Sequence, residues 1–125
     1  MVNINSGTMN FEGVRKVGSI FMEQFKAIGF ETRWASGDSF NRAGHLVAVH
    51  KGTKGPKLLL IGHLDTVFEK DSPFQSYTMV NDSIIHGPGV ADMKGGDVIM
   101  ILALQALFDA GVLKDMNIEI VMTGD

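Results

Sequence analysis

The stretch KLLLIGHLDT, residues 57–66, decides the fold class of this 125-residue chain. Its apolar run does not alternate with polar residues, so we expect a strand with both faces covered, as at the centre of an α/β sheet. His63 and Asp65 follow the run directly, at the strand end where open α/β folds concentrate polar function. Residues two apart on an extended chain project to the same side, so both side chains could face one cleft.

Helices and strands are predicted to alternate on either side of this strand. Apolar residues at helical spacing predict an amphipathic helix over residues 11–28, with Asn10 as its N-cap and Gly29 just beyond its end. The other predicted elements are a strand 30–35, a hairpin of 45–50 with 57–61, short strands 77–80 and 84–86, a buried, almost wholly apolar helix 95–110 and a strand 117–122. This order predicts an α/β fold with a mixed sheet and helices on its faces.

The composition excludes several classes of protein. Hydrophobic residues make up 45% and charged residues 20%, which excludes intrinsic disorder of the whole chain. The net charge is −3 with scattered basic residues, so we expect no nucleic-acid partner. There is no cysteine, hence no disulfide framework and no thiolate zinc site. No signal peptide and no run long enough to span a membrane is visible, and the compartment, cytoplasmic or periplasmic, stays open.

A second polar motif, GPGVADMKGG at residues 87–96, leads from a predicted strand into the apolar helix. Its glycines resemble a phosphate-binding loop, but the last glycine of a dinucleotide fingerprint is replaced by Asp92, whose carboxylate would repel a phosphate. Lys94 lacks the preceding glycine and the following Ser or Thr of a P-loop. The loop suits a cation better, because Asp92 could offer both oxygens to bridge two metal ions.

A third motif, VMTGD at residues 121–125, carries Asp125 to the same edge of the sheet. Each motif alone is more often structural: a His-x-Asp pair commonly caps a loop, and a terminal acid is commonly solvated. The three other histidines, His45, His50 and His86, are expected to be structural, and Trp34 is expected to pack at the sheet.

In this order, the three motifs resemble the zinc-dependent exopeptidase and amidohydrolase family that includes glutamate carboxypeptidase, aminoacylase and succinyl-diaminopimelate desuccinylase. The opening VNINSGT, residues 2–8, and the helix after it look most like the glutamate carboxypeptidase branch. The resemblance implies a three-layer α/β/α sandwich with a mixed sheet, of the phosphorylase/hydrolase type. Residues 1–125 would form an incomplete catalytic domain, its N-terminal part, without the rest of that domain and without the lid or dimerisation domain.

The resemblance also implies roles for single residues. His63 would bind one zinc ion, and Asp92 would bridge two, followed by a cis peptide bond to Met93. Asp65 would belong to the catalytic apparatus by orienting His63 without binding metal. The two glutamates that normally follow Thr-Gly-Asp, one a general base and one a zinc ligand, would lie beyond Asp125.

The activity implied for the full-length protein is metal-dependent hydrolysis of an amide bond in a peptide or N-acyl amino acid. Zinc is the implied metal, and imidazole and carboxylate ligands would also accept cobalt or manganese. The 125 residues alone should be inactive. They should also self-associate through an exposed sheet flank and the helix 95–110, whereas the full-length protein would be a homodimer. A non-catalytic α/β module that binds a ligand or one metal ion is the alternative, and a flavodoxin-like nucleotide binder is disfavoured.

Overall fold

Two α-helices and six strands make up the fold, which a computed structural model describes for residues 1–125. The elements, in chain order, are α1 (Phe11–Ala27), β1 (Glu31–Ala35), β2 (His45–His50), β3 (Lys54–His63), β4 (Thr78–Asn81), β5 (Ile84–His86), α2 (Gly95–Asp109) and β6 (Met116–Thr123). Every predicted helix and strand is therefore present, with ends that shift by a few residues. None of the helices is both long enough and apolar enough to cross a membrane.

The main sheet has four strands in the order β1-β2-β6-β3. β2 runs antiparallel to β1 and to β6, whereas β3 runs parallel to β6. The mixed sheet is as predicted, but the predicted hairpin of residues 45–50 with 57–61 is wrong. β6 lies between these two strands and pairs with both, and its apolar residues Ile118 and Ile120 are buried in the core.

Helix α1 forms as its sequence predicts. The Asn10 side chain accepts a hydrogen bond from the Gly13 amide at 3.2 Å and so caps the first turn. Gly29 follows the helix with φ +90°, a conformation that glycine adopts without steric cost. The buried stripe of α1 includes Val17 and Phe21, which are fully enclosed.

Both helices pack on the same face of the sheet. That face carries Leu46 of β2, paired with Met122 of β6, and both are fully buried in a core cluster that also includes residues of α1 and α2. On the opposite face, Leu59 and Ile61 of β3 are 58% and 65% exposed. The prediction that both faces of residues 58–61 are covered is therefore wrong for these 125 residues, which form two of the three layers of the expected sandwich.

Helix α2 is less buried than its apolar sequence predicts. Only Asp97, Ile101 and Leu104 are buried, while Ile99 and Leu102 are 69% and 61% exposed. A single stripe of α2 meets the sheet, and the other apolar residues face outward.

Candidate functional site

The carboxyl ends of the parallel strands β3 and β6 meet at one edge of the sheet, where His63 is the register partner of Thr123. A cleft of about 640 Å³ opens there. All three polar motifs reach it: its lining includes His63, Asp65, Asp92, Thr123 and Asp125. Parallel strands that end together bring these side chains close, although 62 residues separate His63 from Asp125 along the chain.

The His63 ring lies between two aspartates. Its Nε2 is 2.9 Å from Oδ1 of Asp92, and its Nδ1 is 3.1 Å from the carbonyl oxygen of Asp65 and 3.3 Å from the Asp65 carboxylate. Burial of the ring would by itself lower the pKa of His63. The hydrogen bond to Asp92 and the negative charge of Asp65 outweigh burial and raise the pKa above 6.5.

The Asp65 side chain is buried behind the ring, with 6% of the residue exposed. Its Oδ2 accepts a hydrogen bond from the Thr8 hydroxyl at 2.5 Å, and its Oδ1 faces His63. A buried carboxylate needs such donors, because an unpaired charge in the interior is costly. Sequence reasoning did not single out Thr8, and its 57-residue distance from Asp65 along the chain offers no signal for the contact.

Asp92 stands on the far side of the ring, on a wide turn formed by Val90–Lys94 that leads into α2. The peptide bond from Asp92 to Met93 is cis, as the family resemblance implies. The Asp92 side chain is 82% exposed, so its carboxylate is accessible from the cleft. The Lys94 side chain points away and donates to the Ile4 carbonyl at 3.0 Å, which agrees with the rejection of a P-loop.

The cleft is acidic. Its lining contains three carboxylates, those of Asp65, Asp92 and Asp125, and no lysine or arginine. Such a surface attracts cations and repels phosphates and other anions. The chemistry of the lining therefore favours a bound metal ion over a nucleotide.

Asp97 in the first turn of α2 is a second polar residue that sequence reasoning missed. It is fully buried, and neither of its carboxylate oxygens has a hydrogen-bond partner. A Cβ atom at Gly62 would collide with Asp97 Oδ1, so the carboxylate lies against the end of β3. Burial raises the pKa of Asp97 to about 7, and the nearby His63 partly offsets this rise. The spacing of Asp97, Ile101 and Leu104 on one helical stripe could have revealed this position.

None of the remaining histidines lines the cleft, although Nδ1 of His45 accepts a hydrogen bond from the Gly124 amide at 3.4 Å. His50 lies at the other end of β2, with Nδ1 2.9 Å from the Met116 carbonyl, and the His45 ring stacks on Phe40. His86 is exposed in β5. No three His, Asp or Glu side chains come close enough together to hold a metal ion. Two such side chains, His63 and Asp92, meet directly.

Comparison with known proteins identifies the family. The model of peptidase family M20/M25/M40 matches residues 59–125, the segment that contains all three motifs. The chain belongs to this family. The family resemblance predicted from the sequence is thereby confirmed.

Curated relatives agree with this assignment. Carboxypeptidase G2 of Pseudomonas sp. is 30% identical over 125 residues, which cover all of this chain and 30% of that protein. A succinyl-diaminopimelate desuccinylase of Gluconacetobacter diazotrophicus is 29% identical over 106 residues, 80% of this chain and 27% of that protein. The chain thus spans less than a third of the length of these relatives.

Solved structures confirm the α/β fold. A tripeptidase from Staphylococcus aureus superposes with a TM-score of 0.76 at 26% identity, covering 97% of this chain and 33% of that one. A metallo-carboxypeptidase from Sulfolobus solfataricus superposes with a TM-score of 0.78 at 17% identity, covering 98% of this chain and 28% of that one. The shared fold places the mixed sheet of this chain within the architecture of peptidases of this family.

Proposed function

We propose that this chain is the N-terminal part of the catalytic domain of a metal-dependent amide hydrolase, and that it supplies part of a zinc site. The observation that carries the proposal is the approach of His63 Nε2 to Asp92 Oδ1, 2.9 Å apart in an acidic cleft. Imidazole nitrogen and carboxylate oxygen are the ligand types found at catalytic zinc sites.

The residues fit a metal in kind. The Asp65 carbonyl and carboxylate face Nδ1 of His63, so the ring can carry its proton there and present the Nε2 lone pair to a metal. A carboxylate–histidine pair of this type orients the ring and raises its basicity. The number of ligands is too small, because His63 and Asp92 are two and a catalytic zinc ion usually has three protein ligands. We therefore propose that the missing ligands lie outside residues 1–125.

Three residues of the cleft would build the proposed metal site. His63 would hold one ion, and Asp92 would hold this ion and a second one. Asp65 would keep the His63 ring in place without touching metal. When bound, the metal would polarise the amide carbonyl and lower the pKa of a bound water. Cobalt or manganese would suit the same ligands.

The substrate class follows from the family. The relatives include a carboxypeptidase, a desuccinylase and a tripeptidase, so we propose a small peptide or an N-acyl amino acid as substrate. The cleft itself offers no basic side chain to an anionic substrate. Recognition of a substrate carboxylate would therefore depend on the metal and on residues outside this chain.

The partial length of the chain supports the same proposal. It spans 30% of carboxypeptidase G2, and the uncovered apolar residues of β3 and α2 are those that further strands and helices of a complete domain would bury. One observation supports the alternative, a non-catalytic module that binds one metal ion weakly: only two metal-ligating side chains meet in the cleft. Both proposals predict metal binding, and hydrolysis by a longer gene product separates them.

A Zn²⁺ titration of the 125-residue protein tests the metal site. We expect Zn²⁺ binding to weaken by at least about tenfold in His63→Ala and in Asp92→Asn, because each removes one of two ligands. His50→Gln is the matched control, since His50 lies at the opposite end of the sheet. Equal affinity in all four proteins would contradict the proposed site, and hydrolysis of an N-acyl amino acid by the 125 residues alone would contradict the proposed incompleteness.

A further inference from the structure

The Asp65 carboxylate accepts one hydrogen bond, from the Thr8 hydroxyl, while its other oxygen faces the His63 ring without a hydrogen bond. Thr8 donates its hydroxyl proton to Oδ2 at 2.5 Å, and His63 Nδ1 lies 3.3 Å from Oδ1. The hydrogen bond from Thr8 is therefore the one that fixes the rotation of the carboxylate. Without the Thr8 hydroxyl the carboxylate would have no hydrogen bond, although it lies against the same His63 nitrogen that bonds the Asp65 carbonyl at 3.1 Å.

The position of Thr8 does not depend on its own hydroxyl. The segment Ser6–Thr8 forms a short parallel bridge with Thr66, in which the Thr66 amide donates to the Ser6 carbonyl at 2.8 Å and the Thr8 amide donates to the Thr66 carbonyl at 3.1 Å. The amide side chain of Asn5 adds a hydrogen bond to the Phe68 carbonyl at 2.9 Å. These hydrogen bonds hold the segment against Thr66 and Phe68 without any contribution from the Thr8 hydroxyl.

We propose that Thr8 is a positioning residue of the metal site, an inference that rests on the function proposed above. Its hydroxyl holds Asp65 in the rotamer that faces Nδ1 of His63, and the ring then keeps Nε2 directed at Asp92. Residues behind a metal ligand raise affinity by fixing that ligand in its binding geometry. Thr8 therefore acts on metal binding through Asp65, without contact to the metal.

Three variants isolate the hydroxyl. Thr8→Val keeps the shape and removes the donor, whereas Thr8→Ser keeps the donor and removes only a methyl group. Thr32→Val is the matched control, because the Thr32 hydroxyl is buried without a partner in β1, which two strands separate from β3. All three variants preserve the backbone hydrogen bonds of their segments.

Two measurements apply to each variant. The first is Zn²⁺ affinity by competition with a chelator: we expect Thr8→Val to weaken binding by about threefold to tenfold, less than the loss for a direct partner of a ligand, and Thr8→Ser to restore it. The second is the set of proton–nitrogen NMR signals of the histidine rings in the metal-free protein. We expect the His63 signals to shift and broaden in Thr8→Val alone, while those of His45, His50 and His86 stay unchanged.

The two measurements separate this proposal from the proposed function. His63 signals that are the same in Thr8→Val as in the wild type would overturn the role of Thr8, whether or not zinc binds. A wild-type protein that binds no Zn²⁺ would overturn the metal site, and the NMR comparison would still decide whether Thr8 positions His63. An equal loss of Zn²⁺ affinity in Thr8→Val and Thr8→Ser would show that the Thr8 hydroxyl does not support metal binding.

Discussion

Replacement of Asp97 by asparagine should stabilise the protein above neutral pH. The Asp97 carboxyl is fully buried without a hydrogen-bond partner, and its pKa rises from 3.8 to about 7. The unfolded chain ionises this group above pH 3.8, whereas the folded protein keeps it protonated up to about pH 7. The folded state therefore loses stability as the pH rises through this window, and the loss is complete above pH 7.

The size of the effect follows from the width of the window. A shift of roughly three pKa units, at about 1.4 kcal/mol per unit, costs the folded protein about 4 kcal/mol at alkaline pH. Roughly two pH units of this window lie above pH 5. The free energy of unfolding of Asp97→Asn, relative to the wild type, should therefore increase by nearly 3 kcal/mol, that is about 1.4 kcal/mol per unit, between about pH 5 and pH 8. His63 is the charged neighbour of Asp97, and its positive form reduces the shift.

Urea unfolding followed by circular dichroism at both pH values measures this difference. Comparison of variant with wild type cancels the titration of the groups that do not interact with Asp97, which leaves His63 as the one coupled neighbour. Asp109→Asn is the control, because it removes an exposed carboxylate from the same helix. A stability difference between Asp97→Asn and the wild type that stays constant from pH 5 to pH 8 would refute the reasoning.

Three further changes test the packing. Gly18→Ala places a methyl group 2.5 Å from the Trp34 ring, so it should destabilise the protein by about 1–2 kcal/mol in urea despite the better helix propensity of alanine, and shift the fluorescence of the only tryptophan. Asn10→Ala removes the cap of α1 and should cost about 1 kcal/mol in the same assay, whereas an unchanged midpoint would show that the cap is dispensable. The exposed β3 edge should make the chain self-associate, and Ile61→Lys should bring the mass from light scattering down towards the monomer value of 13.6 kDa; a wild-type monomer would contradict this.

Local patterns predicted the elements well, because their causes are local. Helix α1 follows from an apolar stripe at helical spacing between Asn10 and Gly29. The two short strands β4 and β5 form close to their predicted positions and pair antiparallel. The meeting of His63 with Asp65 also has a local cause, since two residues separated by one lie on the same side of an extended strand.

The approach of Asp92 to His63 was foreseeable in a weaker sense. Motifs that follow the strands of an α/β sheet tend to share one edge, and the order of the three motifs resembled a known family. The distance between the two side chains was not foreseeable, because it depends on the turn Val90–Lys94 and on how α2 docks against the sheet.

The sequence by itself determined the helices and the strands, since each depends on neighbours within a few positions, and it predicted that His63, Asp65 and Asp92 share one edge of the sheet. Only the tertiary structure decided that β6 separates β2 from β3, that the Thr8 hydroxyl reaches Asp65, and that Asp97 is enclosed without a partner. These arrangements join residues far apart in the chain. Their free energy comes from the burial and pairing of the assembled sheet and helices, which no local pattern of residues encodes.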